Sequence, residues 1–208
     1  MLQAESAGVP VRRMPPRRLD TAAGTDSHQG IAAAVSRYPA VSIEELLNRP
    51  STAPSRRLLL LLDQVVDPHN LGALARTALC VGIDGIIITK NRSALPTPAV
   101  SKASAGALEH LRLAKVTNLA DTISQLKKKG VWVFGLEKNS DISLFACDLR
   151  DNLAIVIGGE EKGLRPLVRK KCDYLISIPQ SAAINSLNAS VAGGVVMYEA
   201  YRQRLGRR

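Results

Sequence analysis

From Leu58 onward, short apolar runs alternate with stretches of helical periodicity. The apolar runs predict strands at Leu58–Leu62, Gly85–Thr89, Leu111–Val116, Val131–Gly135, Leu153–Ile157 and Tyr174–Ile178. The helical stretches are Leu71–Val81, Val100–Ala107, Leu119–Lys129, Leu164–Lys171 and Leu187–Leu205. Because such an alternation requires crossover connections, it predicts an α/β fold with a mainly parallel sheet and helices on both faces. In these sheets, ligands bind beyond the carboxyl ends of the strands.

The first 55 residues differ from the rest, because prolines interrupt them and their apolar pieces are short. Ile31–Val35 is a candidate strand, and Ser42–Leu47 is a candidate short helix capped by Ser42. Pro50–Ser55 has the composition of a linker. A segment this poor in apolar residues cannot easily build its own core. We therefore expect residues 1–55 to be part of a small domain plus a linker, and residues 56–208 to form the main domain.

The net charge of +10 indicates a polyanionic partner, and nucleic acid is the first candidate. Aromatic residues make up only 3% of the chain, which argues against an extended base-stacking surface. The three cysteines and three histidines show no metal-ligand spacing, so we expect no metal. Apolar runs are too short for a membrane helix. The wide spacing of the cysteines fits a reducing compartment and predicts a cytoplasmic protein. The arginines before residue 20 could instead belong to a transit peptide, so a mitochondrial or other organellar location is the alternative.

Three motifs follow strands. The first, Asp67–Ala78, reads DPHNLGALARTA. Asp67-Pro68 is a turn signal, and we expect Asn70 to begin a helix. The apolar stripe of that helix would contain Leu71, Leu74, Ala75, Ala78 and Leu79. Arg76 falls off this stripe, so its guanidinium would be available to a ligand or would simply face solvent.

The second motif, Ile157–Leu164, reads IGGEEKGL and is neither a P-loop nor a dinucleotide fingerprint. Its glycines permit a close approach of the backbone to a ligand. Glu160 would orient a polar group, or it would be an ordinary turn carboxylate. Gly135, at the end of another predicted strand, is a further point of backbone approach.

The third motif is the run from Ile176 to Val196, where a helix opens at Ser186-Leu187-Asn188. Ser and Asn favour a helix start, and a helix start attracts polar ligands. Gly193-Gly194, just inside this helix, costs helix stability of about 1 kcal/mol per glycine relative to Ala. That cost suggests close packing against a cofactor, a loop or a second subunit.

Together, DPHNLGALARTA, IGGEEKGL and SIPQSAAINSLNASVAGG resemble the SPOUT methyltransferases, specifically the TrmH/RlmB-type RNA 2′-O-ribose methyltransferases. The resemblance covers about Leu58 to Arg204. Leu19–Val35 looks like the end of the N-terminal RNA-binding domain of that family, most of which we expect to be missing. Val100–Glu109 looks closer to the ribosomal-RNA branch than to the tRNA branch.

The resemblance implies a SPOUT fold with a C-terminal trefoil knot, S-adenosylmethionine as methyl donor, and a homodimer that shares its active sites. The cofactor contacts that carry over are Gly135, Gly158, Ile178 and Leu187. The residues that carry over to catalysis are Arg76, Asn70, Glu160, Ser186 and Asn188. Since an arginine pKa exceeds about 12, Arg76 would stabilise the developing alkoxide of the ribose rather than act as a free base.

The resemblance predicts a 2′-O-methyltransferase acting on a guanosine of large-subunit ribosomal RNA. A tRNA-directed enzyme is the alternative within this class. A non-catalytic RNA-binding factor for ribosome assembly, with the knot kept as a scaffold, is the alternative outside it.

Overall fold

The structure of the protein is a computed structural model, and it describes residues 2–48, 56–181 and 186–205. It divides into two compact units, Met1–Arg37 and Tyr38–Arg208. The predicted linker Pro50–Ser55 lies outside the described residues, so the expected boundary after residue 55 stays a prediction. Residues 41–46 pack in the larger unit, because the Val41 amide donates to the Leu113 carbonyl at 3.0 Å and Leu46 is buried.

The smaller unit contains helices α1 (Leu2–Ser6) and α2 (Pro16–Ala23). No residue from 3 to 37 is buried. The predicted strand Ile31–Val35 is wrong: these residues are not in a strand, and the two side chains at its ends are 78% and 80% exposed. A strand needs a partner for its backbone groups, and this part of the chain offers none.

The described residues of the larger unit form twelve helices and strands. In chain order they are α3 (Ile43–Asn48), β1 (Leu58–Asp63), α4 (Pro68–Val81), β2 (Gly85–Thr89), α5 (Pro98–Ala103), β3 (Leu113–Val116), α6 (Leu119–Lys128), β4 (Trp132–Leu136), β5 (Leu153–Gly158), α7 (Pro166–Lys171), β6 (Tyr174–Ile176) and α8 (Ala189–Leu205). Short 3-10 turns lie at Ala107–His110 and Leu144–Ala146. No described helix has the length and apolar character needed to cross a bilayer.

The strands form one six-stranded sheet in the order β3-β2-β1-β5-β4-β6, and every neighbouring pair is parallel. Strand β1 shows how both faces are covered. Leu58, Leu60 and Leu62 pack in the core that contains α4 and α8, while Leu59 and Leu61 pack in the core that contains α6 and α7. The predicted α/β architecture is confirmed. The knot stays a prediction, because residues 182–185, just before α8, lie outside the described chain.

Helix α4 begins earlier than predicted. Asp67 caps it by accepting from the His69 amide at 2.9 Å, and Pro68 occupies the first turn, where its missing N–H costs nothing. The expectation that Asn70 begins this helix is therefore wrong; Asn70 lies inside the first turn and is 5% exposed. Leu79, predicted to be in the apolar stripe, is 38% exposed, and Val81 is buried near the end of the helix instead.

Other boundaries differ by a few residues. The short helix after Ser42 is confirmed, and the Ser42 hydroxyl accepts from the Glu45 amide at 3.0 Å. Helix α5 ends at Ala103, because Gly106 takes a φ of 82° that an α-helix cannot contain. The edge strands β3 and β6 are shorter than predicted, since an edge strand has a neighbour on one side only.

Candidate active site

A cavity of about 420 Å³ opens at the carboxyl ends of β4, β5 and β6. Its walls come from the segments after these strands and from the start of α8. The lining residues come from the end of β4, from the second motif and from the third motif: Leu136, Glu137, Lys138, Ile157, Gly158, Gly159, Glu160, Glu161, Lys162, Gly163, Ile178, Gln180, Ser186, Leu187, Ala189 and Ala192. This is the place where a parallel sheet binds ligands.

The loop Gly158–Gly163 forms one wall and folds back on itself. The Gly163 amide donates to the Gly159 carbonyl at 3.0 Å, and Gly163 takes a φ of 62°. A Cβ on Gly158 would collide with the Gly163 backbone, and one on Gly159 would collide with the Gln64 carbonyl. Side chains are therefore excluded at both positions, and backbone lies at the cavity wall.

A buried carboxylate anchors the end of this loop. Asp63, at the end of β1, is fully buried and accepts from the Arg165 amide at 2.8 Å and from Arg165 Nε at 2.6 Å. Arg165 follows the loop directly and precedes α7. The two bonds fix the loop to the adjacent strand, so the cavity wall is attached to the sheet at both ends.

Two predicted catalytic residues meet across the site. Asn70 Nδ2 donates to Glu160 Oε1 at 2.6 Å, which joins the first turn of α4 to the glycine-rich loop. Asn70 is nearly buried, whereas Glu160 is exposed and lines the cavity. A short bond to an ionised acceptor is a strong one. Glu160 is therefore oriented by Asn70 and is not a freely rotating turn carboxylate.

The start of α8 supplies three more of the predicted residues. Ser186 and Leu187 line the cavity. Asn188 caps the helix, since its Oδ1 accepts from the Ser190 amide at 2.8 Å and from the Ser190 hydroxyl at 2.6 Å. The prediction that α8 opens at the Ser186–Asn188 triplet is confirmed, and the N-terminal end of its dipole faces the same region as the cavity.

The predicted cofactor residues divide into two groups. Gly158, Ile178 and Leu187 line the cavity. Gly135 does not; a Cβ there would lie 2.8 Å from Cys172 Sγ and 2.8 Å from Leu164 Cδ1. The missing side chain of Gly135 thus allows close packing of β4 on the opposite side, and its neighbour Leu136 is the residue that lines the cavity.

Arg76 stands apart from the other predicted catalytic residues. It is exposed on α4, is not among the cavity-lining residues, and makes no hydrogen bond or ion pair with any residue in the described ranges. It lies six positions after Asn70, so the two side chains leave α4 about 120° apart. Asn70 bonds Glu160 at the cavity wall, whereas Arg76 does not line the cavity of its own chain.

The cavity suits a ligand that is part apolar and part cationic. Ile157, Ile178, Leu187 and Ala192 supply apolar wall, which fits a planar base. The carboxylates lining it, Glu137, Glu160 and Glu161, favour positive charge, and Lys138 and Lys162 can contact an anionic group. A volume of about 420 Å³ is large enough for a nucleoside-sized cofactor.

In the part of the chain that the structure describes, no group of three or more His, Cys, Asp or Glu side chains could hold a metal ion. Sequence reasoning missed several lining residues, chiefly Glu137, Lys138 and Gln180. The available signal was position: each lies just after a strand, at the carboxyl edge of the sheet. No motif contained Glu137 or Lys138, and Gln180 lay inside the third motif without being singled out, because polar residues after a strand are common in loops.

Comparison with known proteins identifies the family of the chain. Residues 57–198 match the SpoU rRNA Methylase family, and residues 1–41 match the RNA 2′-O ribose methyltransferase substrate binding family. A 23S rRNA (guanosine-2′-O-)-methyltransferase RlmB from Xanthomonas axonopodis pv. citri is 45% identical over 207 residues, which cover 98% of this chain and 82% of the relative.

Two solved structures extend this result. The SpoU methyltransferase AviRb from Streptomyces viridochromogenes, solved with AdoMet, matches with a TM-score of 0.73 and 27% identity over 82% of this chain. This chain spans 64% of AviRb. A second solved structure, from work on the 2-OH methylation of C/U34 on tRNA, matches with a TM-score of 0.66 and 31% identity. The match covers 73% of this chain and 99% of that protein's chain. The resemblance predicted from the three motifs is confirmed, and the chain belongs to the SpoU rRNA methylase family.

Proposed function

We propose that this protein is an S-adenosylmethionine-dependent RNA methyltransferase that modifies a ribose 2′-hydroxyl, at a guanosine of large-subunit ribosomal RNA. The observation that carries the proposal is the cavity at the carboxyl edge, in which the glycine-rich loop and the Asn70–Glu160 bond lie together. The Xanthomonas relative is named for the same reaction on 23S rRNA, and AviRb was solved with the same methyl donor.

Different cavity residues contact different parts of the methyl donor. Backbone at Gly158 and Gly159 lies at the wall because side chains are excluded there, and Ile178 and Leu187 enclose the apolar part of the ligand. S-adenosylmethionine, when bound, supplies an electrophilic methyl group on a cationic sulfonium. The Glu160 carboxylate at the wall favours that positive charge, and Asn70 keeps it in one orientation.

The ribose hydroxyl must be positioned and its developing negative charge stabilised, because a protonated hydroxyl is a poor nucleophile. We assign the orientation of the ribose to Ser186, which lines the cavity, and to Asn188, at the electropositive start of α8. A guanidinium cannot readily accept the proton at neutral pH, since its pKa exceeds about 12. Arg76 therefore has the role of stabilising the alkoxide that forms as the proton leaves.

We further propose that the active site is completed by a second copy of the chain. Arg76 does not line the cavity of its own chain, which supports a site that is completed by the partner subunit's Arg76. The helices that carry Arg76 and the site, α4 and α8, also expose apolar side chains: Leu79, Val191 and Tyr198 are 38%, 52% and 52% exposed. An apolar surface next to an incomplete site is a typical homodimer interface.

The test of the proposal is methyl transfer by Arg76→Ala and by Arg76→Lys. Removing the guanidinium should lower kcat by about 100-fold or more, because it removes charge stabilisation at the reacting oxygen. S-adenosylmethionine affinity, measured by calorimetry, should remain near that of the unsubstituted protein. Arg76→Lys should recover only part of the rate, since the ammonium keeps the charge but loses the planar fork. Full activity of Arg76→Ala would refute the assignment.

Mixing two inactive variants tests the shared site. One subunit carries Arg76→Ala, and the other carries a substitution that closes its cavity, Gly158→Val. If sites are shared, each mixed dimer has one intact site, and equal mixing should restore about a quarter of the activity. If each chain used its own Arg76, the mixture would stay inactive.

A tRNA substrate is the second candidate, favoured by the tRNA-directed structure that matches 73% of this chain. Mapping 2′-O-methyl groups in ribosomal RNA and tRNA from cells that lack the gene distinguishes the two. A non-catalytic assembly factor predicts salt-sensitive RNA binding with no binding heat for S-adenosylmethionine.

A further inference from the structure

The loop after β2, Lys90–Ala94, lies on the same edge of the sheet as the candidate active site, and we call it the β2 loop. In β1, Leu62 pairs with Ile88 of β2 on one side and with Ile157 of β5 on the other. Because neighbouring strands lie about 4.8 Å apart, the ends of β2 and β5 are separated by about 10 Å. Ile157 lines the cavity, whereas no residue of the β2 loop does. The β2 loop is therefore close to the cavity but outside it.

Hydrogen bonds hold the β2 loop in one conformation. Thr89, the last residue of β2, donates its hydroxyl to the Asn91 carbonyl at 2.7 Å, and its Oγ1 lies 2.6 Å from Ser93 Oγ. The Ala94 amide donates to the Val65 carbonyl at 2.8 Å, which joins the end of the loop to the segment after β1. The loop is thus a fixed turn, and the side chains that it carries start from defined positions.

Arg92, in the middle of this turn, has a φ of 56°, which lies in the left-handed region. Glycine takes this conformation without strain and asparagine tolerates it, but the backbone of an arginine is strained there. The Arg92 side chain is exposed and forms no hydrogen bond or ion pair with any residue that the structure describes. No contact within the described chain therefore accounts for an arginine at this position. Strained residues cluster at active sites and ligand-binding sites, so Arg92 is a candidate for contact with a ligand.

Two exposed positive charges, Lys90 and Arg92, lie on the β2 loop, and within the described ranges neither pairs with a carboxylate. The carboxylates that follow β1 and β5 are engaged elsewhere. Asp63 is fully buried, Asp67 caps α4, and Glu160 accepts from the first turn of α4. The loop therefore brings two cations to the ligand-binding edge of the sheet without an internal counter-charge, which favours an anionic ligand.

We propose that Lys90 and Arg92 contact the phosphate backbone of the substrate RNA next to the reacting ribose, and that the β2 loop positions the RNA strand. This proposal rests on the proposed function, since it takes RNA as the substrate. A separation of about 10 Å from the cavity corresponds to about three nucleotides of a stacked strand, at about 3.4 Å each. The loop does not line the cavity, so its cations act on the polymer and not on the methyl donor. A guanidinium binds a phosphate through two parallel N–H groups, and an ammonium binds it as a point charge.

The decisive variant is Arg92→Asn, because asparagine removes the charge and tolerates the left-handed backbone. With an in vitro transcript of large-subunit ribosomal RNA as probe, Kd and KM for RNA should rise by about ten-fold. At saturating RNA, kcat should stay within about two-fold, and S-adenosylmethionine affinity should be unchanged. The slope of log affinity against log salt should fall by about 1. The urea midpoint should be equal or higher, since the strain at residue 92 is relieved.

Two further variants sharpen this test. Arg92→Lys keeps the charge but loses the planar fork, so KM for RNA should lie between those of the unsubstituted protein and Arg92→Asn. Lys128→Gln is the matched control, because Lys128 is exposed, lies at the end of α6 on the opposite edge of the sheet, and its loss changes the net charge by the same amount. KM for RNA in Lys128→Gln should stay within about two-fold. An equal rise of KM in Lys128→Gln and Arg92→Asn would show that only overall charge matters, and would overturn the proposal.

The remaining outcomes separate this inference from the proposed function. Absent methyl transfer in the unsubstituted protein would count against the function, and with it against the RNA substrate assumed for the loop. Normal methyl transfer with an unchanged KM for RNA in Arg92→Asn would refute only the role of the loop. A lower urea midpoint with unchanged RNA affinity would make the loop a structural element. Loss of self-association in Arg92→Asn, measured by sedimentation, would assign the loop to a contact between subunits. Either of these last two results would also overturn the proposal.

Discussion

The two ends of the same parallel sheet are built differently. At the carboxyl end, a serine joins the segments after β4 and β6, since the Ser177 hydroxyl donates to the Ser140 carbonyl at 2.9 Å, and glycine backbone lies at the wall of the candidate active site. At the amino end, one long side chain joins two segments to α8. Arg204 donates to the carbonyls of Arg56 and Arg57 at 3.0 and 3.2 Å, and to those of Leu149 and Asp151 at 3.1 and 2.5 Å.

Gln203 adds to the amino-end network. Its Nε2 donates to the Cys147 carbonyl at 2.9 Å, and its Oε1 accepts from the Leu149 amide at 2.8 Å. The last turns of α8 thus hold the loop before β5 in place, while the first turn of the same helix borders the candidate active site. The amino end is therefore held by an arginine that is bonded to four carbonyls, while the carboxyl end leaves glycine backbone at a cavity wall, where a ligand can reach it. Substitutions at the carboxyl end should therefore impair donor binding and methyl transfer, whereas substitutions at the amino end should lower the free energy of unfolding.

The largest effect is expected at the carboxyl end, from Gly158→Val. The added side chain would collide with the Gly163 backbone and displace the loop that forms the cavity wall. S-adenosylmethionine affinity should fall by more than about 100-fold, and methyl transfer should become undetectable. Calorimetry and single-turnover assays measure the two quantities. The matched control is Gly194→Ala, because nothing lies within 4 Å of a Cβ at that position in the chain; retained donor binding in Gly158→Val would contradict the proposed cavity.

The next effect is that of Glu160→Ala, which removes the acceptor of Asn70 and leaves a nearly buried amide without its partner. We expect kcat/KM to fall by about 10- to 100-fold and the free energy of unfolding to fall by about 1 kcal/mol. Glu161→Ala is the control, since Glu161 lines the same cavity and has no hydrogen-bond partner among the described residues. Similar losses in the two variants would show that general negative charge matters, and not the Asn70–Glu160 bond.

At the amino end, Arg204→Ala should reduce stability and leave chemistry intact. The substitution leaves several carbonyls without their donor, and we expect a loss of about 2–3 kcal/mol in the free energy of unfolding. Urea unfolding measures it, and S-adenosylmethionine affinity should be unchanged below the transition. Arg202→Ala is the control, because that side chain is 71% exposed and pairs only with Glu199 within its own helix. A loss of donor affinity in Arg204→Ala would show that the two ends are coupled.

The smallest effect concerns the pH dependence of the amino end. Hydrogen bonds from Arg202 are the main cause that lowers the pKa of Glu199 to about 2. Burial of the carboxyl raises this pKa, and a hydrogen bond from Gln203 lowers it further. A lowered carboxyl pKa stabilises the protein above the unfolded value of 4.5, and this contribution is lost as the pH falls from about 4.5 to about 2. The difference in urea midpoint between the unsubstituted protein and Glu199→Gln should therefore shrink over that range. A constant difference would show that Glu199 acts through packing instead of charge.

The comparison also explains which parts of the site could be predicted. The motifs after β5 and before α8 identified Glu160, Ser186 and Leu187, all of which line the cavity. They did so because a parallel sheet gathers the ends of its strands on one edge, whatever the separation in sequence. Only the position of Asn70 at the start of α4 was misjudged, because the sequence does not show that its partner is Glu160, ninety residues away; its part in catalysis stays a prediction.

The meaning of individual glycines was decided only by packing. Gly193 and Gly194 look alike in sequence, yet a Cβ at Gly193 would collide with Leu74 and Ile157 of the same chain, while Gly194 faces open space. Gly193 thus allows α8 to approach α4 and β5 closely. Gly194 has no contact within its own chain that requires a glycine. Periodicity places both on α8 but cannot say what each one faces.

The sequence by itself determined the strand and helix order, the parallel sheet, the family and the edge on which the site lies, because apolar periodicity and motif order are local properties of the chain. The tertiary structure alone decided that Asn70 orients Glu160, that Arg76 does not line the cavity of its own chain, and that the rings of Trp132 and Tyr174 lie side by side. These facts depend on the order in which strands pair and on the angle at which each helix presents its residues. No short stretch of sequence determines the strand order or the helix angles, since both depend on the packing of segments far apart in the chain.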